Sequence, residues 1–197
     1  LRLCCGITLL STGQLDSARR RLERTAVGLQ PYVDRGMKVL GLEPSCAAAL
    51  RSELPELVGT PAAKLVARSV VTLAELLGSD PDYEPPSLEG LQVLAQPHCH
   101  HSAVMGWDAD RALLERAGAR VQVLGGCCGL AGNFGAERGH YDISVAVAET
   151  QLLPAIRNSN ADTVVLADGF SCRTQLESLS SRTALHLAEL LLPSCVE

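Results

Sequence analysis

Residues 121–129 read VQVLGGCCG, a short β-strand pattern that runs through two glycines into two adjacent cysteines and another glycine. The same Cys-Cys-Gly motif occurs near the start of the chain as Cys4-Cys5-Gly6. A single cysteine follows each motif at a similar distance, Cys46 after the first and Cys172 after the second. Adjacent thiols with a distant third, present twice, are what a thiolate-ligated metal centre built from separate loops requires. The cysteine framework therefore indicates an internal duplication.

The cysteine loops follow short apolar runs of β-strand type. Four such runs are present, at residues 37–42, 91–95, 121–124 and 163–167. Between them, apolar residues recur at helical spacing from Leu15 to Leu29, from Leu65 to Leu76 and from Ile143 to Ile156. Alternating strands and helices predict an α/β fold of βαβ type with parallel sheets. Ligands of such sheets gather at the carboxyl ends of the strands, where the cysteine loops are expected.

Two features divide the chain into repeats. Residues 81–87, PDYEPPS, have the composition of a linker, and the string LAELL occurs at both 73–77 and 187–191. We therefore predict a first repeat over residues 1–86 and a second over residues 87–197.

The first repeat is expected to be truncated. Cys99 precedes the second Cys-Cys-Gly motif, whereas its counterpart for the first motif would lie before residue 1. Residues 1–3 resemble the end of a strand that runs into Cys4. The sequence thus predicts the carboxyl-terminal part of a longer protein, with an incomplete first site at Cys4, Cys5 and Cys46.

The composition excludes several classes of protein. With 197 residues and 47% hydrophobic content, the chain can bury a core without disulfides, so its eight cysteines are surplus to folding. The net charge of −5 and the lack of a basic stripe argue against nucleic acid as a partner. The apolar runs are too short to span a bilayer. These properties favour a reducing, cytoplasmic setting, with peripheral membrane association left open.

The surroundings of the cysteines favour thiolates. Cys46 and Cys172 are predicted at helix starts, where free N–H groups and the positive end of the helix dipole stabilise a thiolate. The glycines around the second motif allow the backbone to approach a bulky inorganic centre; they are Gly125, Gly126, Gly129 and Gly132. Cys99, Cys127, Cys128 and Cys172 would also complete a tetrahedral zinc site. Buried apolar cysteines and disulfides are further alternatives, but adjacent cysteines pair poorly with each other.

Three histidines flank Cys99, namely His98, His100 and His101. Imidazole can replace thiolate on iron or zinc. We expect at most one of them to be a ligand and favour a role in orienting Cys99. No specific role is predicted for Cys195.

At these residues the sequence resembles the cysteine-rich CCG domain family, which includes the heterodisulfide reductase catalytic subunit and the iron–sulfur subunit of glycolate oxidase. The sequences of residues 98–101, 126–135 and 167–173 are most similar to the carboxyl-terminal part of fused FAD-linked oxidases that carry iron–sulfur clusters. The resemblance implies a [4Fe-4S] cluster on Cys99, Cys127, Cys128 and Cys172, and an incomplete second site on Cys4, Cys5 and Cys46.

The implied function is electron transfer. An FAD domain or subunit would oxidise a 2-hydroxyacid such as lactate, glycolate or 2-hydroxyglutarate, and this chain would pass the electrons to a quinone or another carrier.

One departure matters, because heterodisulfide-type members end each copy in Cys-x-x-Cys, whereas this chain has Cys46-Ala47-Ala48-Ala49 and Cys172-Arg173-Thr174-Gln175. A thiol–disulfide reductase and a zinc-stabilised interaction domain are the alternatives.

Overall fold

The fold was analysed in a computed structural model that describes residues 3–192. These residues form an α/β structure with a two-stranded and a four-stranded sheet, both parallel, which confirms the predicted fold class. The strand end predicted at residues 1–3 falls largely outside this range, and Cys195 lies outside it.

The amino-terminal part is mostly helical. Its strands are β1 (Val39–Leu40) and β2 (Val70–Val71), which pair with each other. Its helices are α1 (Ile7–Ser11), α2 (Leu15–Val33), α3 (Pro44–Arg51), α4 (Glu53–Val58), α5 (Pro61–Ser69) and α6 (Leu73–Gly78).

The carboxyl-terminal part contains the larger sheet. Its strands are β3 (Gln92–Ala95), β4 (Arg120–Val123), β5 (Val164–Leu166) and β6 (Ala184–Leu185), in the order β4-β3-β5-β6. Its α-helices are α7 (Asp108–Arg116), α8 (Tyr141–Ala148), α9 (Leu152–Asn158), α10 (Phe170–Leu179) and α11 (Leu187–Leu190). A π-helix spans His101–Met105, and a 3₁₀ turn spans Phe134–Ala136.

Helices cover both faces of the four-stranded sheet. Val93 and Ala95 face a core formed with α6, α7 and α11. Leu94 and Val165 face the opposite core, formed with α9 and α10. Alternate residues of one strand thus enter different cores, as expected of a parallel sheet buried on both faces.

The amino-terminal core forms around α2. Ala18, Leu22 and Ala26 are buried along one stripe of this helix, as the apolar spacing predicts. Leu15, which the same spacing places on that stripe, is 53% exposed at the first turn of the helix. Helix α6 follows β2 but packs against α7, so it joins the core of the larger sheet. The division near residue 86 stays a prediction.

Two helices predicted from apolar spacing are interrupted. The pattern from Leu65 to Leu76 predicts one helix, but β2 separates α5 from α6 at Val70 and Val71. These β-branched residues pair with β1, and Thr72 then caps a new helix. The pattern from Ile143 to Ile156 is likewise divided between α8 and α9.

The sequence predicts Asp108 as the N-cap of α7, but this residue is the first of the helix and follows Trp107 at the cap.

The repeated LAELL strings form the same local structure twice. Each string lies at the start of a helix that follows a two-residue strand, namely α6 after β2 and α11 after β6. Each helix begins with a capping box, in which Glu75 or Glu189 accepts a hydrogen bond from the backbone N–H of the N-cap residue.

No helix among residues 3–192 combines the length and the apolar character needed to cross a bilayer.

The capping box of α6 gives a test of this part of the fold. The Oγ1 of Thr72 accepts from the N–H of Glu75 at 3.2 Å. We expect Thr72→Ala to lower the free energy of unfolding by about 1 kcal/mol, because the N–H of Glu75 loses its partner. Urea denaturation measures the change. Thr8→Ala, at an exposed position in α1, is the control and should stay within about 0.5 kcal/mol of the parent chain. Equal destabilisation by both variants would contradict the capping role.

Candidate metal centre

The parallel register of the larger sheet brings the second set of cysteine loops to one edge. Ala95 at the end of β3 is paired with Val123 of β4 and Leu166 of β5. Each of these strands therefore ends at the same level, and each is followed by a cysteine-bearing segment. This edge is where open parallel sheets place their ligands.

The structure brings the four predicted thiols of the second set together. Cys99 and Cys127, Cys127 and Cys128, and Cys128 and Cys172 each lie close enough to shift one another's pKa. The thiols form a row, since no three of their Sγ atoms all lie within 4.8 Å of one another. Cys128 and Cys172 are buried, Cys127 is half-buried and Cys99 is exposed. The set thus has a buried floor and an open side. All seven cysteines within the described residues are free.

The first set repeats part of this geometry. The Sγ atoms of Cys5 and Cys46, which hold the motif positions of Cys128 and Cys172, are 2.8 Å apart. The N–H of Gly6 donates to the Sγ of Cys4 at 3.4 Å. In the second motif the N–H of Gly129 donates to the Sγ of Cys127 at 3.3 Å. Both glycines have positive φ, at 76° and 90°, so each motif ends in a left-handed glycine.

Helix α2 fixes the start of the first motif. The Oγ1 of Thr25 accepts from the N–H of Cys4 at 3.3 Å and donates to its carbonyl at 2.8 Å. Thr25 is 2% exposed, so this pair of contacts is shielded from water.

Cys46 and Cys172 occupy equivalent positions, since each is the third residue of its helix, α3 or α10. Their predicted location at helix starts is confirmed. Glu43 connects the two helix starts, because one carboxylate oxygen accepts from the N–H of Ser45 at 3.3 Å and the other accepts from that of Phe170 at 2.9 Å. The sequence interpretation missed Glu43, although an acidic residue directly before Pro44 is a recognisable capping signal.

Proton sharing governs the charge of the thiols. Hydrogen bonds from Cys128 and Cys99 lower the pKa of Cys127. The hydrogen bond with Cys127 raises the pKa of Cys128, and it does the same for Cys99. In the first set, the hydrogen bond from Cys46 lowers the pKa of Cys5 to about 7, whereas the pKa of Cys46 is raised.

These opposed shifts have one physical cause. A thiolate is stabilised by neighbouring S–H groups, and each neighbour holds its proton more tightly in return. Several adjacent thiols therefore cannot all ionise by themselves. A metal ion or cluster removes this limit, because its positive charge displaces the remaining protons. The donor set thus fits a thiolate-ligated metal centre.

Two glutamines hold the loop of the second motif. The Nε2 of Gln96 donates to the carbonyl of Gly126 at 2.8 Å. The Oε1 of Gln151 accepts from the N–H of Gly125 at 3.1 Å. No sequence pattern signals these contacts, because each glutamine reaches a loop that is remote along the chain.

His98 positions two cysteine segments. Its Nδ1 accepts from the N–H of His100 at 3.2 Å, and its Nε2 lies 3.2 Å from the Oγ of Ser171. Both ring nitrogens are therefore engaged, and burial lowers the pKa of the imidazole. A Cβ at Gly169 would lie 2.3 Å from this ring, so the contact requires glycine. His98 thus links the segments of Cys99 and Cys172, since Ser171 directly precedes Cys172. Its role in orienting Cys99 stays a prediction.

The chain is similar to several curated proteins, whereas no protein-family model matches it. It is 29% identical over 194 residues to one subunit of the anaerobic glycerol-3-phosphate dehydrogenase of Escherichia coli strain K12, covering 95% of this chain and 48% of that protein. It is 27% identical over 184 residues to the D-2-hydroxyglutarate dehydrogenase of the same strain, covering 91% and 18%. For the D-2-hydroxyglutarate dehydrogenase of Pseudomonas putida strain KT2440, the identity is 25% over 186 residues, covering 91% and 17%.

These similarities link the chain to oxidoreductases, since each of these relatives is a dehydrogenase or a dehydrogenase subunit by name. The chain spans about half the length of the glycerol-3-phosphate dehydrogenase relative and less than a fifth of the D-2-hydroxyglutarate dehydrogenases.

The backbone of the second motif is open to a direct test. A Cβ at Gly129 would lie 2.1 Å from the carbonyl oxygen of Ser144, whereas a Cβ at Gly132 would meet nothing within 4 Å. Both residues have positive φ, so an Ala substitution at either is expected to cost about 1–2 kcal/mol in backbone strain. We expect Gly129→Ala to destabilise the chain clearly more than Gly132→Ala, and to raise the rate at which a thiol reagent modifies Cys128. Urea denaturation and thiol-modification kinetics measure these effects. Equal values for the two variants would show that the close approach to α8 does not hold the loop.

Proposed function

We propose that Cys99, Cys127, Cys128 and Cys172 hold an iron–sulfur cluster of the [4Fe-4S] type, and that the chain relays electrons within an oxidoreductase. The convergence of the three cysteine-bearing strand ends at one edge of the sheet carries this proposal. The thiols there are also close enough to shift one another's pKa. Cys thiolates are the usual ligands of such clusters. The adjacent pair also favours a cluster over a single ion, because neighbouring thiolates reach different irons more easily than two corners of one tetrahedron.

The protein residues would hold the cluster and adjust its potential. When bound, it would supply reversible one-electron storage. The N–H of Gly129 donates to the Sγ of Cys127, and such donors to ligand sulfur affect reduction potential. Cys128 and Cys172 lie in the apolar core beside α9 and α10, which limits the access of water. The exposed side at Cys99 is the side from which a redox partner can approach.

The similarity to dehydrogenases supports the source of the electrons. We infer that a flavin-bearing domain or subunit oxidises a small hydroxylated substrate, of the 2-hydroxyacid type, and delivers its electrons to this chain. A quinone or another carrier would accept them. We infer a cytoplasmic location, with peripheral contact to the membrane where the acceptor is a membrane quinone.

The first set of cysteines is proposed to be an incomplete counterpart. Residues 1–86 and 87–197 would be the two repeats, and Cys4, Cys5 and Cys46 would correspond to Cys127, Cys128 and Cys172. The matching N–H to sulfur contacts and the matching helix positions support this assignment. Within residues 3–192, no fourth cysteine joins the first set.

Replacement of the distal cysteine tests the ligand assignment. We expect the parent chain, reconstituted anaerobically with iron and sulfide, to hold about four irons and to show a broad visible absorption that dithionite bleaches. Cys172→Ser should lose most of this iron, because a hydroxyl replaces a thiolate on the buried floor of the site. Iron, sulfide and zinc are counted per chain.

Cys46→Ser is the matched control, since Cys46 is also the third residue of a helix. It should retain nearly all of the iron. Equal iron in the two variants would refute the ligand assignment. Stoichiometric zinc without sulfide in the parent chain would replace the electron relay with a zinc-stabilised domain.

A further inference from the structure

A second group of ionisable side chains lies buried beside the cysteine loops and takes no part in the proposed cluster. It consists of His101 in the π-helix, Asp110 in α7 and Asp168 after β5. The side chains of His101 and Asp110 are each 3% exposed, and that of Asp168 is 10% exposed. One ligand atom from each residue lies within 4.8 Å of the other two.

The polar atoms of this group lack partners. Neither ring nitrogen of His101 has a hydrogen bond among the described residues, and the Oδ2 of Asp110 has none either. His101 Nε2 and Asp110 Oδ2 approach to 3.3 Å, but not in the geometry of a hydrogen bond. Leaving such groups buried and unsatisfied is destabilising, and more so when they are charged. Native proteins rarely leave such groups without a water, an ion or another partner.

The charges of the group are also unbalanced. The two carboxylates face one imidazole, and neither Lys nor Arg is among the described residues that line the small cavity between them. The first repeat closes this cavity with uncharged residues, among them Leu42, Thr72 and Leu73. Paired burial of two carboxylates requires a cation or shared protons.

The neighbouring His186 places its Nδ1 3.7 Å from the Oδ1 of Asp168, but both of its ring nitrogens also have other partners. Its Nδ1 accepts from the N–H of Ala188 at 2.9 Å, so the neutral tautomer carries its proton on Nε2, which lies 2.9 Å from the carbonyl of Leu42. Both nitrogens are therefore used. The Oδ1 of Asp168 accepts from the N–H of Leu187 at 2.7 Å, which leaves its other oxygen for a ligand.

From this geometry we propose that His101, Asp110 and Asp168 bind one divalent metal ion of the Mn²⁺ or Zn²⁺ kind, separate from the cysteine centre. One imidazole nitrogen and two carboxylate oxygens form a donor set suited to such ions. The cavity has a volume of about 10 Å³, which is enough for one ion or one water. Bonds of about 2.0–2.2 Å place ligand atoms at most about 4.4 Å apart, so small side-chain shifts would close the set.

The bound ion would hold two cysteine-bearing segments in place. His101 lies two residues after Cys99, and Asp168 lies four residues before Cys172. Asp110 anchors the group to α7, whose apolar face packs into the core of the larger sheet. The ion would thus fix the spacing of two cysteine segments that are remote in sequence, and would seal the contact with the first repeat.

Manganese is the probe of choice, because Mn²⁺ prefers oxygen and imidazole ligands and binds thiolates poorly. The loss of the free Mn²⁺ signal in electron paramagnetic resonance measures binding, with the ion added to the folded chain or before refolding. We expect one Mn²⁺ per parent chain and a higher melting temperature in its presence. Asp110→Asn should weaken binding by at least about tenfold, since loss even of a supporting contact has that effect.

Two variants serve as controls. Asp108→Asn makes the same change of charge at an exposed position of α7 and should bind Mn²⁺ as the parent does. Cys127→Ser should also retain the ion, which separates this site from the cysteine centre. The proposal fails if the parent chain binds neither Mn²⁺ nor Zn²⁺ outside its cysteines, whether the ion is added to the folded chain or before refolding. The three side chains would then hold a water or share protons. It also fails if Asp108→Asn and Asp110→Asn bind equally.

Discussion

The parallel register of β3 with its two neighbours is the constraint on which the rest of the site depends. Ala95, Val123 and Leu166 lie side by side, so the segments that follow them leave the sheet at the same edge. A shift of one residue in any of these pairings would exchange the two faces of that strand and move its loop. Burial of Val93 and Leu94 in opposite cores opposes such a shift. The packing of the sheet therefore sets the distances between the thiols.

Thiols that lie close together cannot all ionise, because neighbouring thiolates repel each other. In this protein the thiols share protons instead. Cys127 and Cys5 are the favoured thiolates of their sets, and their neighbours retain protons as donors. This arrangement keeps buried charge low, and a bound cation would release the protons. The histidine and the aspartates near the second set meet the same problem with fewer internal partners. Both observations indicate that this edge of the molecule is organised around positive charge.

The amino-terminal and carboxyl-terminal parts of the chain contact each other through the segments that carry these sites. Glu43 precedes α3 and caps α10, while His186 precedes α11 and bonds to Leu42. Each contact joins a residue that follows a strand in one part of the chain to a residue that follows a strand in the other. Helix α6 adds apolar packing against α7. The two parts of the chain thus contact each other at the edge where the ligands would bind.

The sequence by itself determined the parallel α/β class, the helix starts at Cys46 and Cys172, and the repeated Cys-Cys-Gly loops, because these depend on local spacing and on residues adjacent in the chain. Only the tertiary structure decided that β2 and β6 are strands. A two-residue strand is defined by its pairing, and its sequence pattern is too short to detect. The tertiary structure also decided the contacts of Glu43, Gln96 and His98, which join segments remote in sequence. The grouping of His101 with Asp110 and Asp168 follows from the same cause: folding brings together side chains that no sequence period connects.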